Sequence, residues 1–134
     1  MFPQALFYDY TKIAARLGRT PDNYKLMFSY SAAPAYQNQV NAALKKDVPI
    51  SVVFRGGLPK TYLGRQVIDG DKSDLVNLYS GSVVVGLKLK GGKAIQASKS
   101  PFIVDNPDCP GNALAQCNRH NLASAGLSRL QVAA

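Results

Sequence analysis

Five short apolar segments, each ending in polar residues, constrain the fold of this 134-residue chain more than any other feature of its sequence. They are rich in β-branched and aromatic residues and are bounded by glycine, proline, serine or aspartate, a pattern typical of strands. The predicted strands cover residues 5–8, 24–28, 50–54, 66–68 and 83–87, and a further edge strand is predicted at 102–104.

Helix-like periodicity separates several of these strands. Apolar residues recur at helical spacing over 13–17 and 36–44, and further helical segments are predicted at 73–79 and 122–132. Strands that alternate with helices are typical of a parallel sheet with helices packed against it. The predicted fold class is therefore α/β, with a mostly parallel five-stranded sheet built as a half-barrel or as an open three-layer structure. Residues 1–104 are assigned to this domain, and residues 105–134 to an irregular or helical tail packed on it.

The charge balance indicates the class of partner. Sixteen Lys and Arg stand against eight acids, all of them Asp, which gives a net charge of +8. A positive surface attracts phosphates or an acidic protein, so nucleic acid or a nucleoprotein complex is the expected partner, with solubility alone as the competing explanation. Tyrosines interleave with the basic residues, as stacking on single-stranded nucleic acid would require. For Tyr8, Tyr24 and Tyr36 we favour a position at the edge of the core instead.

The expected compartment is the cytoplasm of a host cell. No apolar run approaches the roughly 18 residues that a membrane span needs, so no membrane partner is expected. The chain does not open with a basic segment followed by an apolar one, the pattern of a secretory signal. Two cysteines in such a chain are typical of a reducing compartment.

Polar or charged side chains follow all five predicted strands. Ligands of parallel α/β sheets bind beyond the carboxyl ends of the strands, so we expect these residues to share one edge and specifically expect Asp9, Arg55, Asp69 and Lys88 to lie along a single rim. Asp9 and Asp69 are the candidate catalytic residues. The candidate ligand- or phosphate-binding residues are Lys12, Ser29, Ser31, Arg55, Lys88 and Lys90. The competing explanation is that any strand end becomes polar where it meets water.

The C-terminal tail carries a spacing that suggests a metal site. Cys109, Cys117 and His120 follow the pattern C-x7-C-x2-H and supply three of the four ligands that a structural zinc ion needs. Asp105, Asp108, water or a second chain would supply the fourth. A pair of free thiols, or a disulfide, is the competing explanation.

Several strings of residues together resemble a family of uncharacterised bacteriophage and plasmid proteins. They are FYDYTK, NYKLMFSYS, VVFRG, LPKTYLGRQVIDGDKSDL and VVVGLKLKG, and the resemblance covers about residues 5–105. It implies a phage or mobile-element origin and an α/β fold that corresponds to the C-terminal part of longer members. It supplies no activity. A sheet that lacks the preceding part would expose an edge, which predicts self-association or docking to a host protein or a nucleoprotein complex.

Three functions compete. We favour a basic binding protein that engages nucleic acid or a nucleoprotein complex, because the single histidine and the absence of glutamate leave no recognisable catalytic set. The second is an enzyme in which Asp9 and Asp69 act on a phosphate- or nucleotide-bearing substrate, held by the cations at the strand ends. The third is an inhibitor of a host defence system that acts by protein–protein binding.

Overall fold

The computed structural model describes residues 4–72 and 81–109. Seven strands form within these residues: β1 (Phe7–Thr11), β2 (Tyr24–Ser29), β3 (Ile50–Arg55), β4 (Thr61–Tyr62), β5 (Arg65–Asp69), β6 (Val84–Lys88) and β7 (Ile103–Asp105). The α-helices of the described residues are α1 (Gln37–Leu44) and α2 (Lys93–Gln96), and 3₁₀ turns cover Ala14–Arg16 and Pro34–Tyr36. No described helix is long and apolar enough to cross a membrane.

The sheet is mostly parallel, as predicted. Its strand order is β1-β2-β3-β6-β5-β4, and every pair along this order is parallel except β4 with β5. The five predicted strands correspond to β1, β2, β3, β5 and β6, each displaced by at most a few residues. The two-residue strand β4 was not expected, because so short a segment carries no periodicity.

Fewer helices flank the sheet than the sequence predicts. The helix expected at 13–17 is a single 3₁₀ turn, since Leu17 is already extended and Gly18 reverses the chain at a φ of 77°. The helix expected at 36–44 is present as α1, preceded by a 3₁₀ turn. The helices predicted at 73–79 and 122–132 lie outside the described residues.

Strand β7 occupies an unexpected place in the sheet. One edge of β3 pairs with β6 over the whole of Ile50–Phe54. The other edge is shared: β2 pairs with Ile50 and Ser51, and β7 pairs with Val53–Arg55. Among the described strands β7 pairs with β3 alone, so it is an edge strand as predicted, and it lies where β2 has separated from β3. It also crosses the predicted boundary between residues 104 and 105, and Asn106 beyond it is buried and donates to the carbonyl of Gly56.

The core lies mainly on one face of the sheet. Phe28, Ile50 and Phe54 are fully buried there, and α1 covers them with Val40 and Ala43. Burying a side chain as large as Phe28 contributes about 1.5–3 kcal/mol. The opposite face holds a smaller buried cluster around Met27 and Val85, so polar and aromatic side chains near β1 on that face stay accessible.

Candidate nucleic-acid interface

The strand register separates the residues that were expected to share one rim. Thr11, Phe28, Ile50, Val84 and Val67 form one row of partners across the sheet. Asp9 precedes this row by two residues, whereas Asp69 follows it by two, Lys88 by four and Arg55 by five. Asp9 and Asp69 are also four strand spacings apart, about 19 Å across the sheet and about 13 Å along it. The expectation of one rim is therefore wrong for Asp9.

Asp69 and Lys88 do meet, in a cluster of ion pairs at the ends of β5 and β6. Lys88 Nζ lies 3.4 Å from Asp69 Oδ2, and Lys90 Nζ lies 2.9 Å from Asp71 Oδ1. The Asp71 carboxylate also accepts a hydrogen bond from the backbone N–H of Lys88 at 2.8 Å. Burial acts to raise the pKa of Asp71, but that hydrogen bond and the Lys90 charge outweigh burial and lower the pKa below its ordinary value. These charges satisfy one another and join the turn after β5 to β6.

Arg55 and Ser31 have structural partners. Arg55 Nε lies 2.6 Å from Asp105 Oδ1, and its Nη1 donates to the carbonyls of Gln96 and Ser98. Ser31 is buried, and its hydroxyl oxygen accepts from the backbone N–H of Ala33. Both side chains hold the segments that follow the strands in place.

Asp9 interacts with its own strand and with β2. Its Oδ1 accepts from the backbone N–H of Tyr10 at 2.7 Å, and its Oδ2 accepts from the Tyr24 hydroxyl at 3.1 Å. The hydrogen bond to Asp9 raises the pKa of Tyr24. The enzyme hypothesis needs Asp9 and Asp69 at one substrate, and this arrangement does not bring them together.

Lys12 and Ser29 are brought together at the ends of β1 and β2. Lys12 Nζ donates to Ser29 Oγ at 3.1 Å and to the carbonyls of Ser29 and Tyr30 at 3.2 and 3.4 Å. Its ammonium lies 4.6 Å from the centroid of the Phe102 ring and 5.6 Å from that of Tyr36. Burial lowers the pKa of Lys12. The arrangement concentrates positive charge between two partly exposed aromatic rings.

A row of aromatic and basic side chains leads away from Lys12. Alternate residues of a strand share a face, and so do the paired residues of neighbouring parallel strands. Tyr8 and Tyr10 therefore lie on one face, with Lys25 beside Tyr8 in the register, and Lys12 follows the last residue of β1. Tyr8 is 51% exposed and Tyr10 is 39% exposed, and Lys25 is exposed as well. We call these four residues the β1–β2 surface.

Sequence reasoning assigned several of these aromatic residues incorrectly. Tyr8 and Tyr36 were expected at the edge of the core, but both are exposed. Lys25 and Phe102 were not among the predicted site residues at all. A lysine within an apolar strand indicates a solvent-facing position, so the exposure of Lys25 could have been predicted from the sequence. The position of Phe102 depends on where β7 inserts and has no signal in the local sequence.

The predicted zinc site lies mostly outside the described residues. Cys109 is buried and disulfide-bonded, so its sulfur is not a thiolate in this structure. Cys117 and His120 fall beyond residue 109. Within residues 4–72 and 81–109, no group of three metal-ligating side chains comes together. Zinc binding by the tail stays a prediction.

A depression of about 220 Å³ lies at the opposite end of the sheet. Pro21, Lys25, Asp47 and Pro49 are among the residues that line it. It faces the N-terminal ends of β2 and β3 and contains none of the predicted site residues. Within the described residues, exposed aromatic rings thus lie along β1, next to two cations that have no carboxylate partner there, Lys25 on β2 and Lys12 after β1.

Comparison with known families agrees with the expected kind of protein. A family model described as gene product 88 matches residues 1–106, a span that includes every strand of the described sheet. The chain belongs to the gene product 88 family. This membership is consistent with the predicted phage protein family. No curated protein and no solved structure matches the chain. A gene product 88 assignment names no activity, so the function must be argued from the site.

Proposed function

We propose that this gene product 88 protein binds single-stranded nucleic acid, free or within a nucleoprotein complex, through the β1–β2 surface. The observation that carries the proposal is that exposed Tyr8 and Tyr10 share one sheet face with Lys25, and that Lys12 follows directly at the end of β1. Bases stack on exposed aromatic rings and phosphates approach neighbouring cations, which is how sequence-tolerant single-strand binding works. From Tyr8 to Lys12 the row extends about 13 Å, enough for a few nucleotides.

Charge supports the same proposal. Sixteen basic residues against eight aspartates leave the protein at +8. Within the described residues the ion pairs are Arg55–Asp105, Lys88–Asp69 and Lys90–Asp71, so neither Lys12 nor Lys25 has a carboxylate partner there. Cations that lack carboxylate partners interact favourably with a polyanion and release its counterions on binding.

The proposal is tested by measuring the affinity of single-stranded oligonucleotides for surface variants by fluorescence anisotropy. Tyr8→Ala is expected to weaken binding about 5- to 150-fold, because one stacked base contributes about 1–3 kcal/mol. Ile95→Ala is the matched control, since Ile95 is 48% exposed and lies on α2, outside the β1–β2 surface. Equal affinities of the two variants, or no binding by the unmodified protein, would overturn the proposal.

Family membership also supports a phage or mobile-element origin, and we include in the proposal a location in the host cytoplasm, where nucleic acid is present. Self-association and docking to a host protein stay predictions, as does inhibition of a host defence system. No contact in the described residues favours the inhibitor or enzyme hypothesis over nucleic-acid binding.

A further inference from the structure

Lys12 is a partly buried cation whose ammonium contacts neutral oxygen atoms and aromatic rings. Its ammonium donates to the Ser29 hydroxyl and to the carbonyls of Ser29 and Tyr30, with Nζ 3.1–3.4 Å from the three oxygens. These distances are at the long end of the range for N–H···O hydrogen bonds, so the bonds are weak. None of the ion pairs within the described residues includes Lys12. An anion would therefore gain a charge-assisted hydrogen bond at this position at little cost.

Ser29 adds a donor beside the ammonium. Its hydroxyl oxygen accepts from Lys12, which leaves the hydroxyl hydrogen available to an anion. Ser29 is partly exposed, so an anion in solvent has access to it. Lys12 and Ser29 together thus offer a positive charge and a neutral hydrogen-bond donor to one anion.

Two aromatic rings flank the cation and remain accessible. Phe102 is 40% exposed and Tyr36 is 38% exposed, and Lys12 Nζ lies within 4.6 and 5.6 Å of their centroids. A backbone hydrogen bond joins the two segments that carry these rings. The N–H of Ala32, in the segment that leads to Tyr36, donates to the carbonyl of Pro101, the residue before Phe102, at 2.8 Å. An anion at Lys12 therefore has a flat apolar surface next to it on a fixed framework.

We infer that Lys12, Ser29, Tyr36 and Phe102 form a nucleotide subsite, in which the phosphate contacts Lys12 and Ser29 and the base stacks on Phe102 or Tyr36. A phosphate joined to a planar base is the chemistry that this combination matches. The nucleotide is either free or one unit of a strand that continues along Tyr10 and Tyr8. The second form rests on the proposed function, because the β1–β2 surface ends at Lys12.

The subsite is tested by NMR titration of the full chain with thymidine monophosphate, thymidine and inorganic phosphate in turn. The monophosphate is expected to shift the ring signals of Phe102 and Tyr36 and to bind more tightly than thymidine. Lys12→Gln is expected to lower the affinity for the monophosphate about ten-fold or more, because a hydrogen bond to a charged group is lost. Lys45→Gln removes an exposed charge at the end of α1 and is the matched control.

A second variant keeps the inference testable if Lys12→Gln fails to fold. Phe102→Ala alters an exposed ring outside the buried core. It is expected to lower the affinity for thymidine monophosphate while leaving the affinity for inorganic phosphate unchanged. Equal binding of thymidine and its monophosphate, or no effect of either variant, would overturn the subsite.

An oligothymidylate of about ten nucleotides separates the failure of the subsite from that of the proposed function. Strand binding that depends on Tyr8 but neither shifts Phe102 nor responds to Lys12→Gln would overturn the subsite and leave the proposed function standing. Binding of the monophosphate without binding of the strand would support the subsite for free nucleotides and overturn the proposed function.

Discussion

At the scale of single residues, the basic side chains in the described part of the chain donate to backbone carbonyls at least as often as they pair with carboxylates. Arg65 is buried, and its guanidinium donates to the carbonyls of Leu44, Lys46 and Val48, where α1 ends and the chain turns toward β3. Lys46 donates to the carbonyls of Ala14 and Leu17. With eight aspartates for sixteen cations, carbonyls at helix and turn ends become the available acceptors.

Arg65→Met is expected to destabilise the protein by about 3 kcal/mol, since three hydrogen bonds of about 1 kcal/mol each are lost and three carbonyls lose their donor. Arg65→Lys is expected to recover only part of this loss, because a point ammonium cannot reach all three carbonyls as the planar guanidinium does. Urea denaturation measures both free energies of unfolding. Lys45→Met, at an exposed position, is the control, and an Arg65→Met variant as stable as this control would contradict the assignment.

Asp71 makes the stability depend on acid pH. Its pKa is held below the ordinary value of 3.8 in the folded protein, so its contribution is present above the unfolded pKa and is lost as the pH falls through the folded one. Asp71→Asn is expected to cost about 1 kcal/mol at neutral pH. The difference in unfolding free energy between this variant and the unmodified protein should begin to shrink below about pH 4 and disappear below the folded pKa of Asp71. Urea denaturation at several pH values measures it, with Asp22→Asn in an exposed turn as the control; a pH-independent difference would contradict this account.

At the scale of elements, β6 packs tightly enough that one of its residues has no room for a side chain. A Cβ on Gly86 would come within 2.8 Å of side-chain carbons of both Leu58 and Val67. Gly86 pairs with Val52 on one side and Asp69 on the other, so the strand cannot move away without breaking the ladder. The close approach of Leu58 therefore depends on glycine at this position.

Gly86→Ala is expected to destabilise the protein by about 1–3 kcal/mol through overpacking. Gly92→Ala is the control, because a Cβ there would meet no atom within 4 Å. Thermal unfolding followed by circular dichroism compares the two variants. Equal stabilities would show that the core around Leu58 and Val67 relaxes freely.

The edge strand β1 is protected by one of its own side chains. Phe7 donates its N–H to the carbonyl of Asn23, the residue before β2, and in a parallel ladder the alternate residues Tyr8 and Tyr10 then direct their backbone groups outward. Asp9 Oδ1 accepts from the N–H of Tyr10 and so occupies a position at which another strand would pair. A charged side chain on an edge strand is a common protection against association.

Asp9→Ala is expected to increase self-association, because the edge loses both the charge and the hydrogen bond that cover it. Analytical ultracentrifugation at increasing protein concentration measures the effect. Asp22→Ala removes an equal charge from an exposed turn and is the control. If both variants sediment as the unmodified protein does, Asp9 has no protective role at this edge.

At the scale of the whole molecule, the excess positive charge and the exposed row on β1 make one joint prediction. The affinity for single-stranded nucleic acid is expected to fall as salt rises, with a slope of about 0.7 per phosphate contact on logarithmic axes. Lys25→Gln is expected to reduce that slope by about 0.7, and Lys45→Gln by much less, since Lys45 follows α1 and lies outside the β1–β2 surface. Affinity that does not change with salt would contradict the prediction.

Asp9 and Lys12 show that the local sequence predicts which residues are polar near a strand end but not which of them is available to a ligand. Both follow or end the same apolar segment, and both were candidates on that ground. The register places Lys12 beside Ser29 at the strand end, whereas Asp9 stays within β1 and binds Tyr24. Only two residues of the chain, Tyr10 and Thr11, lie between the structural side chain of Asp9 and the candidate ligand Lys12. The polar pattern at strand ends is the same in both cases.

What the sequence by itself determined is local: the positions of the five main strands, the helix α1, the parallel arrangement that their alternation implies, and the surplus of positive charge. Those features depend on neighbouring residues and on periodic burial. Only the tertiary structure decided that β1 is an edge strand, that β7 enters beside β3, and that Tyr36 and Phe102 flank Lys12. These depend on pairings between segments far apart in the chain, and a periodic pattern carries no information about which distant segment becomes a neighbour.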